Sequence, residues 1–522
     1  MYKENFSKKN DLFFQIISAV ILLICTAGTI FFFRDHIQTN LDSDEASEMI
    51  LAKLLSKEGK IITENWYYST EIRVLNTNIP FSLFFKFTDN WYHVRLFATI
   101  TMYVILLITY YGLCSAYGIK KYFLISAALL FIPFSSDYYL FVLKGAYYFP
   151  HITFILLLLM LSEIYRKITE KKKTALLVFS FLLSIILGMG GIRLLFIFFL
   201  PILITDIIIS LWNNNDTDLK DGLFFSFAIF FGSAAGFLIN SGILSRYYHF
   251  SSWDGINFCE FDFGRTEDVL KAFLHACGYK TGRVFSRQLL HNGITFVWII
   301  LTAVIIIYVI KNRKKCCSML LRFSVLIAVS YFLLFSIYML TDMQLTPRYF
   351  LPTVILAVPL AAIFINEISG KWKPEWIAVI LVLLSITGGA DYFLEEWNYR
   401  PNIEIRRIAR DLVKTGYHSG YATFWNGNLM TELTNGQIEI WTIERLKEIT
   451  DLNQIYPVQQ EVRHSSEHPD GKVFLLFTKE ECEINNWKDN LKEENIILSS
   501  NKFTVYGFDS YGDMTGCLYS NQ

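Results

Sequence analysis

The feature that most constrains this chain is a series of long apolar stretches, each about as long as a bilayer is thick. A spanning helix needs roughly 17 to 25 predominantly apolar residues. Hydrophobic residues make up 53% of the chain and the mean hydropathy is +0.36, more than a soluble domain carries. The sequence therefore predicts a polytopic α-helical membrane protein. About eleven spans are expected, at residues 12–33, 94–117, 122–142, 150–165, 174–189, 194–212, 223–244, 294–310, 319–340, 350–368 and 376–392.

The basic residues predict the orientation of these spans. Lys and Arg concentrate at the N-terminus and in alternate loops, at residues 120–121, 166–173, 311–315 and 371–373. Loops rich in Lys and Arg face the cytoplasm. We therefore expect a multi-pass protein of the cell membrane with a cytoplasmic N-terminus and an extracytoplasmic C-terminus. The first helix has charged flanks and lacks a small-residue cleavage site, so we expect it to remain as an anchor.

The spans divide the chain into a membrane domain, residues 1–394, and a C-terminal region, residues 395–522. The membrane domain has two long outer loops, a first loop at 34–93 and a second loop at 245–292. In the first loop an amphipathic helix is expected at 46–57, with an apolar face suited to lie along the bilayer surface. The C-terminal region has a helical pattern at 403–414 and then strand-like runs, so it is expected to form a small extracytoplasmic α/β domain.

Composition excludes some classes of function. The 47 basic and 47 acidic residues balance, which argues against a nucleic-acid surface. Zinc-type cysteine spacing and a phosphate-binding glycine loop are both missing from the sequence. Two pairs of cysteines share an outer region, Cys259 with Cys277 and Cys482 with Cys517. The sequence leaves open whether either pair forms a disulfide.

Three acids follow the first apolar helix in the segment Leu41-Asp42-Ser43-Asp44-Glu45-Ala46. Acids beside hydrocarbon are costly unless they have a partner or a task. One interpretation is structural, because Asp42 with Glu45 three residues later is close to a capping box. A cap requires one acid, however, and three are present.

The order of these motifs resembles a known class of enzyme. Asp44-Glu45 opens an amphipathic helix that ends near Gly59, Arg95-Leu96 opens the next span, and a later helix begins Pro347-Arg348-Tyr349-Phe350-Leu351-Pro352. This arrangement resembles the GT-C class of polytopic glycosyltransferases, which includes protein mannosyltransferases and the aminoarabinose transferases of lipid A. The resemblance covers residues 1 to about 390, and the C-terminal region is similar only in being an appended outer domain.

The resemblance implies a GT-C-like fold and an enzyme that takes a sugar from a polyprenyl-phosphate donor. The acceptor would be a cell-envelope glycan, lipid or protein on the outer face of the membrane. Such a transfer needs a base for the acceptor hydroxyl, for which Asp44 is expected, with Glu45 and Asp42 as helpers. The sequence specifies no cofactor, and the three acids leave open whether a divalent cation is bound.

The departing lipid phosphate needs positive charge, which arginine supplies through a planar fork of donors. Expected donor-phosphate residues are Arg95, Arg193, Arg348 and Tyr349. Expected substrate-binding residues are Trp66, Tyr67, Glu71, Arg73, Lys144 and His151. An interfacial aromatic belt and snorkelling basic side chains explain several of these equally well.

Two other classes of function remain. A transporter or flippase for a glycan lipid predicts ionisable residues near mid-membrane and two related halves. In this sequence the ionisable residues lie mostly at helix ends, and no repeat is visible. A non-catalytic assembly protein of envelope polysaccharide predicts that the outer acids can be neutralised without loss.

Overall fold

The computed structural model describes residues 2–69, 72–212, 217–250, 257–281, 287–368, 374–443, 459–460, 468–485 and 487–519. In these ranges nine helical segments are long and apolar enough to cross a membrane. They confirm a polytopic helical membrane protein. Their bounds are Asp11–His36, Trp91–Ala116, Tyr148–Lys167, Leu195–Trp212, Lys220–Arg246, Leu289–Lys311, Ser318–Leu340, Pro347–Ile368 and Glu375–Glu396.

Helices are labelled in chain order. The first ten are α1 Tyr2–His36, α2 Ser43–Glu58, α3 Asn78–Phe84, α4 Trp91–Ala116, α5 Phe123–Leu129, α6 Ser136–Tyr138, α7 Tyr148–Lys167, α8 Glu170–Gly188, α9 Leu200–Trp212 and α10 Thr217–Gly242. The next ten are α11 Arg265–Ala276, α12 Arg287–Lys311, α13 Ser318–Leu340, α14 Leu351–Ile355, α15 Ala357–Ile368, α16 Glu375–Glu396, α17 Ile403–Lys414, α18 Phe424–Leu433, α19 Lys479–Ile484 and α20 Tyr511–Leu518.

Two of the eleven expected spans are not among the nine. The stretch at 122–142 is interrupted, since α5 ends at Leu129 and the chain continues through the short α6 into a π-helical turn, Tyr139–Leu143. The stretch at 174–189 lies within α8, whose first turn is rich in lysine. The count of eleven therefore stays a prediction.

Helices α8 and α10 pack closely because small residues lie between them. A Cβ atom on Gly188 would lie 2.1 Å from the Ser233 carbonyl oxygen, and one on Gly236 would lie 2.0 Å from the Ile185 carbonyl oxygen. Only glycine lets the two backbones approach so closely. Small residues at helix contacts are the usual means of association within a bilayer, where apolar burial between helices gains little.

The apolar face of α2 is covered by protein. Met49, Ile50 and Leu55 are at most 5% exposed, and the helix packs against α3 and α18. The expectation that this face lies along the bilayer surface is therefore wrong. Amphipathicity is a local property of the sequence, and it does not reveal whether lipid or protein covers the apolar face.

The C-terminal region forms a five-stranded sheet in the order β4-β3-β6-β8-β7. The first three strands in this order are parallel to one another, and β8 runs antiparallel to both of its neighbours. In the central strand β6, residues Val473 to Phe477 are fully buried, as expected for a strand covered on both faces. The strand bounds are β3 Ser419–Thr423, β4 Glu439–Ile443, β6 Val473–Thr478, β7 Ile496–Ser499 and β8 Phe503–Phe508.

A second, small sheet joins three parts of the chain. Its strands are β1 Trp66–Tyr68 of the first loop, β2 His249–Phe250 of the second loop and β5 Gln459–Gln460 of the C-terminal region, in the order β2-β1-β5. The rings of Tyr67 and His249 stack with centroids 4.8 Å apart. The two loops and the C-terminal region are therefore fastened to one another at one end of the helices.

None of the eight cysteines, all of which lie in the described ranges, is part of a disulfide, so neither the Cys259–Cys277 nor the Cys482–Cys517 bond is present. Cys25 and Cys114 are buried among the helices, where a thiol packs as a small apolar group.

Candidate functional site

The first turn of α2 is held by a capping box. The Asp42 carboxylate accepts from the Glu45 backbone N–H at 2.8 Å, and the Glu45 carboxylate accepts from the Asp42 backbone N–H at 3.2 Å. The capping interpretation therefore describes two of the three predicted acids. Asp44 is outside the box, in the same first turn and half-buried.

Glu45 has a second partner, Lys144. The Lys144 Nζ donates to Glu45 Oε2 at 2.7 Å, and both side chains are at most 3% exposed. Burial raises the pKa of the Glu45 carboxyl to about 7, and the nearby Lys144 charge opposes this shift. The sequence predicted both residues in the site, but as separate helper and substrate-binding groups rather than as a buried pair.

Glu48 is a further acid of the site, and it is not among the residues predicted from the sequence. It lies one helical turn after Asp44, is 7% exposed, and accepts hydrogen bonds from Thr77 Oγ1 and from Asn76 Nδ2, the latter at 3.0 Å. Burial raises the pKa of its carboxyl, and the Arg73 charge opposes the shift. The signal that could have found Glu48 is its spacing of four residues from Asp44, which places both on one face of the helix.

Tyr147 interacts with Arg73 and with the charges of Asp44 and Glu48. The Arg73 guanidinium lies 4.7 Å from the centre of the Tyr147 ring. Burial, and then the charges of Asp44 and Glu48, raise the pKa of the Tyr147 hydroxyl well above its ordinary value. Arg73 and the charge of Asp44, the predicted base, therefore act on the same tyrosine. No sequence motif pointed to Tyr147.

Two of the three predicted phosphate-binding arginines lie together. The Arg193 guanidinium is 5.9 Å from the ring centre of Tyr349, and the Arg348 guanidinium is 4.9 Å from the ring centre of Phe141. The Tyr349 ring is 6.4 Å from Tyr148, whose hydroxyl lies within electrostatic reach of both arginines. We call Arg193, Arg348, Tyr349 and Tyr148 the arginine cluster. Among the described residues, the buried Nε of Arg348 and the buried hydroxyl of Tyr148 have no hydrogen-bond partner.

The acids and the arginine cluster meet on one short segment, residues 144–151. Lys144 contacts Glu45, the charge of Asp44 acts on Tyr147, and Tyr148 belongs to the arginine cluster. Gly145 has φ of +79°, and a Cβ there would lie 2.8 Å from Met102 Cε, so both the backbone angle and the space favour glycine. His151 stacks on Tyr148 at 5.2 Å, and its Nδ1 lies 2.7 Å from the Tyr147 carbonyl oxygen.

Irregular backbone surrounds this segment. π-Helical turns occur immediately before it, at Tyr139–Leu143, and after Arg193, at Leu195–Phe199. Arg348 lies on a single 3₁₀ turn, Pro347–Phe350. Such turns inside membrane helices re-aim side chains, and π-helical turns concentrate at functional sites.

Arg95 has a different environment from the other two arginines. Its Nε and Nη2 donate to the two carboxylate oxygens of Glu432 at 2.6 and 2.7 Å, and Nη2 also donates to the Glu45 carbonyl oxygen at 2.9 Å. Its described contacts thus reach the C-terminal region rather than the arginine cluster. Glu432 is absent from the sequence-based site because nothing local in the sequence links it to Arg95.

The predicted aromatic residues are less accessible than expected. Trp66 is 1% exposed, so its ring packs within the protein, whereas the half-buried Tyr67 stacks on His249. Glu71 lies outside the described residues. A groove that includes Asn76, a hydrogen-bond partner of Glu48, is lined by polar and apolar side chains, among them Arg73, Asn76, His151, Phe154, Leu187 and Leu194.

Within the ranges that the structure describes, there is no group of three or more His, Cys, Asp or Glu residues arranged to hold a metal ion. No protein-family model matches this sequence, and no curated protein is significantly similar to it.

Proposed function

We propose that this protein is a membrane glycosyltransferase that moves a sugar from a polyprenyl-phosphate donor to a cell-envelope glycan, lipid or protein. The observation that carries the proposal is the meeting of opposite charges on residues 144–151. The charges of Asp44 and Glu48 act on Tyr147, and the charges of Arg193 and Arg348 act on the adjacent Tyr148, whose ring lies 6.4 Å from that of Tyr349. Glycosyl transfer from a lipid phosphate needs these two kinds of group next to each other.

In the proposed reaction Asp44 accepts the proton of the acceptor hydroxyl while the hydroxyl oxygen bonds to the anomeric carbon of the sugar. The bond from that carbon to the phosphate oxygen breaks, and its electron pair leaves with the polyprenyl phosphate. Arg193 and Arg348 stabilise the charge that develops on the phosphate, with the unpartnered Arg348 Nε available as a donor. Glu45 is a helper in this step, since its Oε2 accepts from Lys144 and from the Asp42 backbone N–H and so holds the first turn of α2.

The groove beside the acids supports a lipid-linked donor. Its lining combines Arg73, Asn76 and His151, which suit a phosphate or sugar, with Phe154 and Leu187, which suit the start of an isoprenoid chain.

The orientation and family are part of the same proposal. The distribution of Lys and Arg among the loops supports a site at the extracytoplasmic end of the helices and a C-terminal region outside the cell membrane. The order of Asp44-Glu45, Arg95 and Arg348-Tyr349 along the chain favours a GT-C-like enzyme.

Transport of a glycan lipid is less well supported. Among the described residues, charged groups buried in the spanning helices include Asp206, Arg322, Arg166 and Glu163. Arg322 is only four residues from the start of α13, about 6 Å along its axis, and Arg166 lies in the last turn of α7. These charges are therefore near one end of the helices rather than at mid-membrane, where a transport site is expected.

The test compares surface glycans of cells that lack the gene and are complemented with the wild-type protein, Asp44→Asn or Asp89→Asn. Asp89 is a matched control because it belongs to the same loop, is 90% exposed and pairs with Lys53 away from the site. We expect Asp44→Asn cells to lack the same sugar as the deletion, and Asp89→Asn cells to regain it, at equal protein levels in the membrane. Full restoration by Asp44→Asn would reject Asp44 as the base.

A further inference from the structure

Four buried charges connect the candidate site to the C-terminal region. Lys144 pairs with Glu45 at 2.7 Å, and Arg95 pairs with Glu432 through two hydrogen bonds of 2.6 and 2.7 Å. All four side chains are at most 5% exposed. The two pairs are joined because Arg95 Nη2 also donates to the Glu45 carbonyl oxygen at 2.9 Å. The chain of contacts runs from residues 144–151 through α2 and α4 to α18.

The C-terminal region fixes the two residues that flank Asp44 in the sequence, Ser43 directly and Glu45 through Arg95. On one side, the Ser43 hydroxyl donates to the Phe424 carbonyl oxygen in the first residue of α18. On the other side, the Glu45 carbonyl accepts from Arg95, which Glu432 of α18 fixes through both carboxylate oxygens. The backbone on each side of Asp44 is thus fixed by groups that α18 supplies or orients.

A buried ion pair is a poor source of net stability, because desolvation of the two charges offsets most of their attraction. Its distinctive property here is geometric. A bidentate arginine–carboxylate contact fixes the plane and direction of the guanidinium, and so fixes where Nη2 points. In this protein Nη2 points at the first turn of α2, next to the proposed base.

We propose that Glu432 is a positioning residue for Asp44, and that the C-terminal region is therefore an integral part of the active site rather than an appended module. This inference rests on the proposed function for its effect on rate. Its structural part, that Glu432 fixes the first turn of α2 through Arg95, stands independently of the chemistry.

The experiment uses the full-length protein and three variants. Glu432→Gln removes the charge, and the double variant Arg95→Met with Glu432→Met replaces the pair by apolar side chains of similar length. The control, Arg400→Gln, removes a different ion pair between the C-terminal region and the membrane helices, Arg400 Nη2 to Asp35 Oδ2 at 2.6 Å, which does not touch α2. Two readouts are taken: amide hydrogen exchange of residues 43–49 and 424–433, and the kinetics of sugar transfer from a polyprenyl-phosphate donor.

We expect exchange at residues 43–49 to become roughly tenfold faster in Glu432→Gln and in the double variant, and to be unchanged in Arg400→Gln. In the double variant, residues 424–433 should stay as protected as in the wild type, because the apolar pair keeps α18 docked. We expect kcat to fall roughly 10- to 100-fold in both Glu432 variants with the donor KM unchanged, since a misplaced base slows the chemical step without weakening donor binding.

Unchanged exchange at residues 43–49 in Glu432→Gln, or wild-type kcat in the double variant, would overturn the inference. If Glu432→Gln does not fold, the double variant alone decides between positioning and stability. If the wild-type protein transfers no sugar while the exchange results hold, the proposed function fails and the structural link through Arg95 stands.

Discussion

The ion pair between Asp206 and Arg322 allows a quantitative prediction about the membrane domain. Arg322 Nε and Nη2 donate to the two oxygens of Asp206 at 2.7 and 2.6 Å, and the side chains are 1% and 3% exposed. Arg322 Nη1 also donates to Ser162 at 2.8 Å, and Arg166 Nη2 lies 3.4 Å from the same carboxylate. One carboxylate therefore compensates two buried arginines, contributed by α7 and α13.

Asp206→Ala leaves both arginine charges without their acid. Removing one partner of a buried ion pair costs about 3 to 5 kcal/mol, because the remaining charge stays desolvated. A matched control is Asp221→Ala, which breaks the Lys173–Asp221 contact of 2.6 Å at an aspartate that is 30% exposed. Surface pairs of that kind contribute about 0 to 1 kcal/mol. The two variants should therefore differ by at least about 2 kcal/mol.

The assay is the free energy of unfolding of the purified protein in mixed micelles titrated with a denaturing detergent. The double variant Asp206→Leu with Arg322→Met should recover most of the loss, because it removes the second charge together with the first. Equal unfolding free energies for Asp206→Ala and Asp221→Ala would refute this reasoning, as would a double variant no more stable than Asp206→Ala.

Three further predictions concern the site and the helix contacts. Burial raises the pKa of Glu45 from 4.5 to about 7, so the folded protein holds this proton more tightly than the unfolded chain does. The contribution of protonated Glu45 to stability is therefore complete below about pH 4.5 and is lost as pH rises to about 7. The melting temperature of the wild-type protein should fall over this pH range for that reason, and the melting temperature of Glu45→Gln should lack this part of the fall. Arg348→Lys should lower the transfer rate roughly tenfold, measured with a saturating donor, because an ammonium lacks the planar fork of donors. Gly188→Ala should lower the melting temperature by several degrees, since its Cβ would lie 2.1 Å from the Ser233 carbonyl oxygen.

Local patterns predicted much of the secondary structure. The helical period at residues 403–414 matches α17, and the capping-box spacing of Asp42 and Glu45 matches the observed cap of α2. The apolar face of α2 was also visible in the sequence, but its partner was not. That face packs on α18, which follows it by more than 360 residues, and no local pattern records such a contact.

The candidate site shows the same limit. Arg193 and Arg348 are close to a common pair of tyrosines, in agreement with a shared role, because both lie at the same end of their helices. Arg95 lies at that end too, yet its partner Glu432 is 337 residues away in sequence. Glu48 and Tyr147 belong to no recognisable motif. They are part of the site because, in the fold, the charges of Asp44 and Glu48 act on Tyr147. The residue types of the site could be read from the sequence, and the pairing of its charges could not.

Glycosyl transfer by this protein is tested by measuring the release of polyprenyl phosphate by the purified protein from a panel of polyprenyl-phosphate sugars, with membrane extract as the source of acceptor. We expect the wild-type protein to release polyprenyl phosphate from at least one donor, with the rate reduced roughly 100-fold or more in Asp44→Asn and unchanged in the loop control Asp89→Asn. Wild-type release from none of these donors, or equal release by wild type and Asp44→Asn, would contradict it.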